Sequence, residues 1–383
     1  MIPRMSDPGT VTCWQCGSDV PHGSFCIVCG HSLSEELAAR EASKRSFNAD
    51  PSEPVKSLRV LSTLFPQLPK AELDLFRLAL LFGTAAVLVL AVLGFYPVAV
   101  MVAAAVVPLL VVIYVYEVDV YEDEPPLVIG ATLVWGVLAG AAVAVGAGLL
   151  QGGSSPIPGG NRVGQLGNAT ILGAAQVLLA LAGPMVLLRH RRFNDALDGV
   201  TFGVASAAGF AGAYTIVLAL DLLGSGLQPG GETTAWLLTT VNVALIRPLL
   251  LAGAIGATCA AFWVRYRGPT GDRGRLGLLG NPLIATLGAV VLVAASGATG
   301  ALFGNVAGTL ARAALAMLAL LWLRMAIHLG LRQEAAEIGI GPMIRCRNCG
   351  RETLRHSFCS RCGISLRALP KERGVRRDEA RAG

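Results

Sequence analysis

The sequence CWQCGSDVPHGSFCIVCGHSL at residues 13–33 returns near the other end of the chain as CRNCGRETLRHSFCSRCGISL at residues 346–366. At a constant offset of 333 residues, the two stretches are identical at 10 of 21 positions. Each stretch holds two Cys-x-x-Cys pairs separated by nine residues, and glycine follows the second cysteine of every pair. The chain therefore carries one small module twice, and the cysteine spacing is the most specific feature of that module.

This spacing favours a tetrahedral metal site in each module. Two thiolates three residues apart on a tight turn can reach one zinc ion at about 2.3 Å, and two such turns complete a tetrahedron. Glycine after each pair permits a positive φ, which turns backbone N–H groups toward the thiolates. Because a module of about 20 residues buries too little apolar surface to fold alone, the ion would supply the missing stability. We predict two structural zinc ions with these ligands: Cys13, Cys16, Cys26, Cys29, Cys346, Cys349, Cys359 and Cys362.

Disulfide-bonded knots, redox-active thiols and an iron–sulfur site are the alternatives for the same cysteines. Disulfides require an oxidising compartment, whereas cytosolic thiols stay reduced and available to zinc. The ninth cysteine, Cys259, falls in an apolar segment, where we expect a small buried hydrophobic side chain.

Between the modules the composition is that of a membrane protein. The chain is 54% hydrophobic and 15% charged, with a mean hydropathy of +0.60. This composition excludes an ordinary soluble globular protein. Eight apolar stretches are long enough to cross about 30 Å of hydrocarbon. We predict an all-α polytopic membrane protein with about eight transmembrane helices and a zinc ribbon at each cytosolic end. The predicted spans are 74–95, 97–116, 127–150, 169–188, 199–223, 234–264, 282–303 and 306–328. The sixth is over-long and is interrupted by Arg247-Pro248, where we expect it to tilt or kink.

The distribution of basic residues predicts the orientation. Lysine and arginine cluster before the first span and after the fourth, sixth and eighth, and the opposite connections hold only Arg162. The positive-inside rule then places both termini in the cytosol, at the inner (cytoplasmic) membrane. The acidic loop after the second span falls on the same side, but acidic residues carry little weight in this rule. The basic residues that decide the orientation are Lys56, Arg59, Lys70, Arg189, Arg191, Arg192, Arg265, Arg267, Arg273, Arg275, Arg332 and Arg345.

The cysteine modules and the predicted spans divide the chain into five parts. The Pro- and Ser-containing linker includes a short helix that begins near Ser34, and the basic tail is expected to be disordered and to suit anionic lipid headgroups. The parts are an N-terminal zinc ribbon at 10–33, a linker at 34–72, a membrane helical domain at 73–330, a C-terminal zinc ribbon at 343–367 and a tail at 368–383.

Two motifs in the membrane domain contain residues that a simple membrane-spanning helix does not need. The first is Asp119-Val120-Tyr121-Glu122-Asp123-Glu124-Pro125, followed by Trp135-Gly136. The second is Asp198-Gly199, then Gly203 and Gly209-Phe210, and with Gly212 these glycines predict a face for tight contact with another helix. Together the motifs resemble the PrsW family of bacterial intramembrane proteases over about residues 114–265. The five carboxylates of the segment Glu117–Glu124 could bind a divalent cation or form a solvated loop.

The resemblance implies a catalytic site built from a Glu-Glu pair, the glutamate of a Glu-Asn pair and a histidine. At the corresponding positions this chain has Met185-Val186-Leu187-Leu188, Tyr214-Thr215 and Pro248, and its fourth to sixth spans contain no glutamate or histidine. Activation of water requires a general base and commonly a metal held by such residues. We therefore expect a degenerate PrsW-like fold without protease activity.

The leading functional hypothesis is a non-catalytic scaffold that recognises membrane clients and recruits cytosolic protein partners through its zinc ribbons. An active, divergent PrsW-type intramembrane metalloprotease, a solute or ion pathway and a zinc sensor are the alternatives. The polar residues at membrane depth are candidates for a functional role, and Arg247 with Asn242 would line the pathway. These candidates are Asp221, Asn242, Arg247 and Arg312.

The partners implied are membrane lipids and proteins, and a homo-oligomer is compatible with the sequence. The C-terminal ribbon is rich in arginine, which would suit phosphate contacts, but the N-terminal ribbon has no Lys or Arg between Cys13 and Cys29. That asymmetry argues against a shared nucleic-acid role. The arginines concerned are Arg345, Arg347, Arg351, Arg355 and Arg361.

Overall fold

The computed structural model describes residues 10–13, 17–33, 74–117, 126–151, 162–190, 192–223, 233–267, 276–337, 340–346, 348–364 and 366. Four of the predicted features lie outside these residues. They are the short helix after Ser34, the acidic segment at 118–124, the basic tail at 368–383 and the ligand Cys16.

The described part of the membrane domain is helical throughout its apolar segments. The sixth predicted span stays helical through Arg247-Pro248, and its irregularity is a π-helical turn at Asn242–Ile246, directly before these two residues. The helices are α1 (Asp74–Val92), α2 (Tyr96–Glu117), α3 (Pro126–Gln151), α4 (Arg162–Leu187), α5 (Ala196–Leu223), α6 (Thr233–Val241), α7 (Arg247–Tyr266), α8 (Pro282–Phe303) and α9 (Asn305–Glu337). A single 3-10 turn at Gly277–Gly280 precedes α8.

Seven helical segments are long and apolar enough to cross a membrane: α2, α3, α4, α5, the continuous α6–α7 segment, α8 and α9. These correspond to seven of the eight predicted spans and confirm the all-α polytopic fold. Helix α1 has 19 residues, and its apolar part, Leu78–Val92, is shorter than in the other seven. At 1.5 Å per residue α1 is about 28 Å long, close to the hydrocarbon thickness. The last helix runs to Glu337, beyond the predicted end of its span at 328.

Helices α5 and α7 form the centre of the bundle. Helix α7 is buried along nearly its whole length, and it packs against α5, α8 and α9. Helix α5 also packs against α2 and α3. The outer faces of the peripheral helices expose large apolar side chains, as lipid contact requires. Examples are Phe82, Leu149, Leu283 and Leu310.

The contact between α3 and α5 is a direct approach of two backbones. A Cβ atom added at Gly136 would lie 2.0 Å from the carbonyl oxygen of Ser206, and one at Gly140 would lie 2.3 Å from that of Phe210. From the other side, a Cβ at Gly209 would lie 2.3 Å from the carbonyl oxygen of Leu133. Only glycine fits at these positions, and the small residues let the helices meet closely.

The predicted glycine face of α5 is used for tight contacts, but it is divided among three neighbours. Gly199 and Gly203 face α7, where added Cβ atoms would meet the Cys259 carbonyl and the Gly256 Cα. Gly209 faces α3, whereas a Cβ at Gly212 would lie 2.8 Å from the Ala104 carbonyl oxygen of α2. Because α5 is surrounded, its small residues serve several contacts rather than one.

The acidic residue that begins the second motif has a structural role at the start of α5. The Asp195 backbone N–H donates to the Asp198 carboxylate at 3.2 Å, and the Asp198 N–H donates to the Asp195 carboxylate at 3.0 Å. This reciprocal arrangement satisfies N–H groups that the first turn of a helix leaves without partners. Asp195 and Asp198 therefore form a capping box at the start of α5.

Candidate metal centres

The sequence repeat is also a structural repeat. Strand β1 (Thr10–Thr12) pairs antiparallel with β2 (Asp19–Pro21), and β3 (Met343–Arg345) pairs antiparallel with β4 (Glu352–Leu354). In the first hairpin Val11 lies opposite Val20, and in the second Ile344 lies opposite Thr353. The registers coincide when the numbering is shifted by 333 residues.

All four cysteine turns have the same backbone hydrogen bonds. In the first turn, the Cys13 N–H donates to the Ser18 carbonyl at 2.9 Å and the Gly17 N–H donates to the Cys13 carbonyl at 2.8 Å. The turns at Cys26, Cys346 and Cys359 repeat both bonds with the residues at the same spacing. The glycine after each pair has a positive φ, as predicted, and the values are 74° at Gly17, 71° at Gly30, 69° at Gly350 and 73° at Gly363.

The turns bring the cysteine sulfurs together. In the C-terminal module the four Sγ atoms lie within 4.8 Å of one another, and in the N-terminal module those of Cys13, Cys26 and Cys29 do the same. Neighbouring sulfurs are 3.6 Å apart for Cys13 and Cys29, 3.8 Å for Cys346 and Cys362, and 4.0 Å for Cys349 and Cys359. The edge of a sulfur tetrahedron around an ion with bonds of about 2.3 Å is about 3.8 Å.

These distances also decide against disulfides among the described cysteines. A disulfide joins its sulfurs at about 2.05 Å, and none of the described cysteines is bonded in a disulfide. The two clusters can therefore hold metal ions, with Cys16 as the predicted fourth ligand of the N-terminal site. Cys259 is fully buried in the bundle, as predicted.

Hydrogen bonds and burial shift the pKa values of the C-terminal thiols in opposite directions. A hydrogen bond from Cys362 lowers the pKa of the Cys359 thiol to about 4, whereas burial raises the pKa of the Cys346 thiol to about 11. The hydrogen bond that Cys362 donates to Cys359 raises the pKa of Cys362. A divalent cation removes this conflict, because it stabilises all four ligands as thiolates.

The two ribbons pair with each other through reciprocal main-chain hydrogen bonds. The Phe25 N–H donates to the Ser360 carbonyl at 3.1 Å, and the Phe358 N–H donates to the Ile27 carbonyl at 3.0 Å. Phe25 corresponds to Phe358, and Ile27 to Ser360, at the offset of 333 residues, so the two bonds are equivalent. The paired head, defined here as residues 10–33 together with 340–366, is thus a pseudo-twofold unit within one chain.

Side chains make the pairing asymmetric. The His356 Nδ1 contacts the Ile27 carbonyl at 2.8 Å, while its counterpart in the other ribbon is Gly23. The Phe358 ring lies against Gly30, where an added Cβ would be 2.8 Å from the ring. Phe358 is fully buried and belongs to the same continuous cluster as the core of the helical bundle, whereas Phe25 is only half-buried. Phe358 therefore connects both ribbons to the bundle.

In the membrane domain, two of the four predicted polar residues, Arg247 and Arg312, have described side-chain contacts. Arg247 stacks on Tyr214, with its guanidinium carbon 3.8 Å from the ring centroid, and its Nη2 donates to the Gln176 Oε1 at 3.1 Å. The Arg312 Nε donates to the Thr299 Oγ1 at 2.8 Å. Asn242 lies in the π-helical turn, and the side chain of Asp221 lies outside the described part of the chain. Gln176 and Thr299 are common polar residues that lie in no distinctive motif, so their contacts with the two arginines were not predictable from the sequence.

No family model, curated protein or solved structure matches this chain. The class that the fold and the clusters define is a multi-pass helical protein with two cysteine clusters that could hold metal ions. The PrsW resemblance of the core stays a prediction.

Proposed function

We propose that this protein is a non-catalytic, PrsW-like membrane scaffold whose two zinc ribbons recruit cytosolic protein partners. The observation that carries the proposal is the paired head, which joins both ends of the chain and contacts the bundle through Phe358. A head of this kind offers a rigid surface at a fixed place beside the helices. Helical faces rich in exposed apolar side chains would hold the membrane clients.

Zinc is the ion that best suits both centres. Sites of four cysteines in a tetrahedron with no open position are typical of structural zinc, and such sites bind too permanently to favour a sensor. The sulfur separations of 3.6–4.0 Å support this assignment. On this proposal the ions stabilise the head and take no part in chemistry.

The paired head also supports a location of both ribbons on one side of the membrane. Ribbons that share backbone hydrogen bonds lie on the same side, so the helices between them must cross an even number of times. The seven long segments and α1 together make eight crossings, which satisfies this condition. The basic connections favour the cytosolic side of the cytoplasmic membrane, where reduced thiols would bind zinc.

We expect no catalysis because of the residues that occupy the catalytic positions implied by the PrsW resemblance. Tyr214 and Arg247 meet in a stacked pair and Pro248 follows, so two of those positions hold groups that do not activate water at neutral pH. The third position, Met185–Leu188, offers only apolar side chains.

Site-specific photo-crosslinking tests the scaffold directly. A photoreactive residue at the exposed position His22 should join the metal-loaded protein to discrete cytosolic proteins in intact cells. Phe358→Ala, which loosens the head and keeps all eight cysteines, should abolish those adducts while the metal content is unchanged. Adducts that persist in Phe358→Ala would contradict recruitment by the paired head. Crosslinked membrane clients that are cut within their spans would instead favour the peptidase.

A further inference from the structure

The two cysteine clusters have the same geometry but differ in exposure at an equivalent ligand position. The Sγ atoms of Cys13 and Cys29 are 3.6 Å apart, and those of the equivalent pair, Cys346 and Cys362, are 3.8 Å apart. Cys13, Cys29 and Cys346 are buried, whereas Cys362 is partly exposed. Cys362 can therefore meet small solutes from which its counterpart Cys29 is shielded.

The asymmetric pairing of the head explains this difference. Gly30 directly follows Cys29, and a Cβ added at Gly30 would lie 2.8 Å from the Phe358 ring. Because Phe358 is fully buried, its ring closes the space beside this cysteine turn. The counterpart ring, that of Phe25, is only half-buried, and Cys362 keeps its exposure.

Exposed arginines lie beside the C-terminal cluster. Arg361 directly precedes Cys362, and its side chain is exposed. Arg345, which is also exposed, donates from its Nε to the Gly350 carbonyl at 3.0 Å, and this bond holds its guanidinium beside the other turn of the same cluster. The counterparts of the two arginines in the N-terminal ribbon carry no charge. They are Val28 and Thr12.

The nearby carboxylates do not distinguish the two ribbons. Glu352 lies opposite Arg345 in the second hairpin, and Asp19 lies opposite Thr12 at the same place in the first. Both carboxylates are exposed. The arginines therefore account for the difference in local charge.

Exposure and positive surroundings together favour reaction at a cysteine. A partly exposed thiolate in an electropositive environment is reactive, whereas a buried cysteine is inert. Cys362 meets both conditions, while Cys29 is buried and has an uncharged neighbour in Val28. Cys346, with its sulfur 3.8 Å from that of Cys362, is close enough to complete a disulfide after a small side-chain movement.

We propose that the C-terminal cluster is an oxidation site, at which Cys362 and Cys346 form a disulfide while the N-terminal cluster stays reduced. The oxidant is a hydroperoxide such as hydrogen peroxide. The Cys362 thiolate attacks one peroxide oxygen, the O–O bond breaks and hydroxide leaves, so that a sulfenic acid forms at Cys362. The Cys346 thiolate then attacks that sulfur, and a second hydroxide leaves as the S–S bond forms. Two electrons pass from the sulfurs to the peroxide, and both hydroxides take up protons from solvent.

The consequence for metal binding rests on the proposed function, in which each cluster holds zinc. A tetrahedral site that has lost two of its four thiolates no longer binds the ion tightly. Oxidation would therefore release the C-terminal ion first, although the two sites have the same ligands.

Stepwise oxidation of the full-length protein in detergent tests the order of reaction. After each addition of hydrogen peroxide the free thiols are alkylated, and mass spectrometry of the peptides measures the oxidised fraction of each cysteine. Cys346 and Cys362 should be half-oxidised at a peroxide exposure roughly tenfold lower than Cys13 and Cys29 require. A chromogenic chelator should detect about one zinc ion per chain at that exposure.

Exchange of the charged residues between the ribbons tests the role of the arginines. Arg361→Val combined with Arg345→Thr installs the N-terminal residues and keeps all eight cysteines. This variant should oxidise several times more slowly at Cys362. Val28→Arg is the matched control, and it should change the oxidation of Cys29 little because that sulfur is buried.

Removal of the covering ring tests the role of burial. Phe358→Ala should accelerate the oxidation of Cys29 and bring it closer to that of Cys362. The arginine variants change exposed side chains only, so their result does not depend on the stability of the head.

Equal oxidation of the two clusters, or earlier oxidation of the N-terminal one, would overturn the proposal. So would a first disulfide within one turn, between Cys359 and Cys362, because Cys346 would then take no part. The alkylation measures the cysteines themselves and does not require a bound ion. A parent protein without zinc would contradict the zinc assignment, and the order of oxidation would still decide this proposal.

Discussion

At the scale of single residues, Gly30 leaves the space that the Phe358 ring occupies in the paired head. Gly17 and Gly30 both have a positive φ, but an added Cβ meets Phe358 at 2.8 Å only at Gly30, and at Gly17 no described atom lies within 4 Å. We expect Gly30→Ala to combine backbone strain of about 1–2 kcal/mol with a clash, and Gly17→Ala to carry the strain alone. Limited proteolysis of the head should be faster in Gly30→Ala; equal rates would contradict the contact.

A second residue-scale prediction concerns Phe358 itself. Phe358→Ala removes a fully buried ring, and the usual cost of such a change is about 3–5 kcal/mol. Phe25→Ala, at the equivalent but half-buried position, should cost much less. Thermal unfolding of both variants compares the two positions in one chain. An equal decrease in Tm would show that Phe358 does not connect the head to the bundle.

The sequence was informative about residues whose side chains carry the chemistry. Cysteine spacing and the glycines after each pair predicted the four turns, because thiolate geometry and positive φ restrict residue type. The pairing contacts were not predictable, since the Ile27 and Ser360 carbonyls and the Phe25 N–H are main-chain groups that every sequence has. The Arg247–Gln176 bond joins residues 71 positions apart, and no local pattern encodes it.

At the scale of elements, the backbone approach of α3 and α5 predicts a sharp difference between two glycines of α3. Gly136→Ala would place a Cβ 2.0 Å from the Ser206 carbonyl oxygen, whereas no described atom lies within 4 Å of a Cβ at Gly130. We expect Gly136→Ala to destabilise the bundle by at least about 1–3 kcal/mol and Gly130→Ala to be neutral or slightly stabilising. The Tm values of both variants in detergent test this; similar values would exclude the close approach.

The elements themselves were predictable to different degrees. Long apolar stretches define their own helices, because lipid leaves no other way to satisfy backbone hydrogen bonds. Arg247-Pro248 predicted an interruption in the sixth span, but the π-helical form of the turn depends on its neighbours in the bundle. The glycines of α5 indicated tight packing, yet the sequence did not show that three helices share them.

At the scale of the whole molecule, the pairing should make the two metal centres depend on each other. Changing Cys346 and Cys349 to serine removes two ligands of the C-terminal centre and, we expect, opens the head. The N-terminal centre should then release its ion to a chelator several times faster, although its own ligands are intact. The reverse pair, Cys13→Ser with Cys26→Ser, should accelerate release from the C-terminal centre. Unchanged release rates in both variants would show that the ribbons are independent.

We propose that the chain carries two structural zinc centres made only by its eight ribbon cysteines. Metal analysis of the purified full-length protein, beside a variant with all eight cysteines changed to serine, tests it most directly. We expect two zinc ions per chain in the parent and none in the variant. A metal ion that remains bound after all eight substitutions would contradict this proposal. That ion would lie in the membrane core or its acidic loop and would favour an active peptidase.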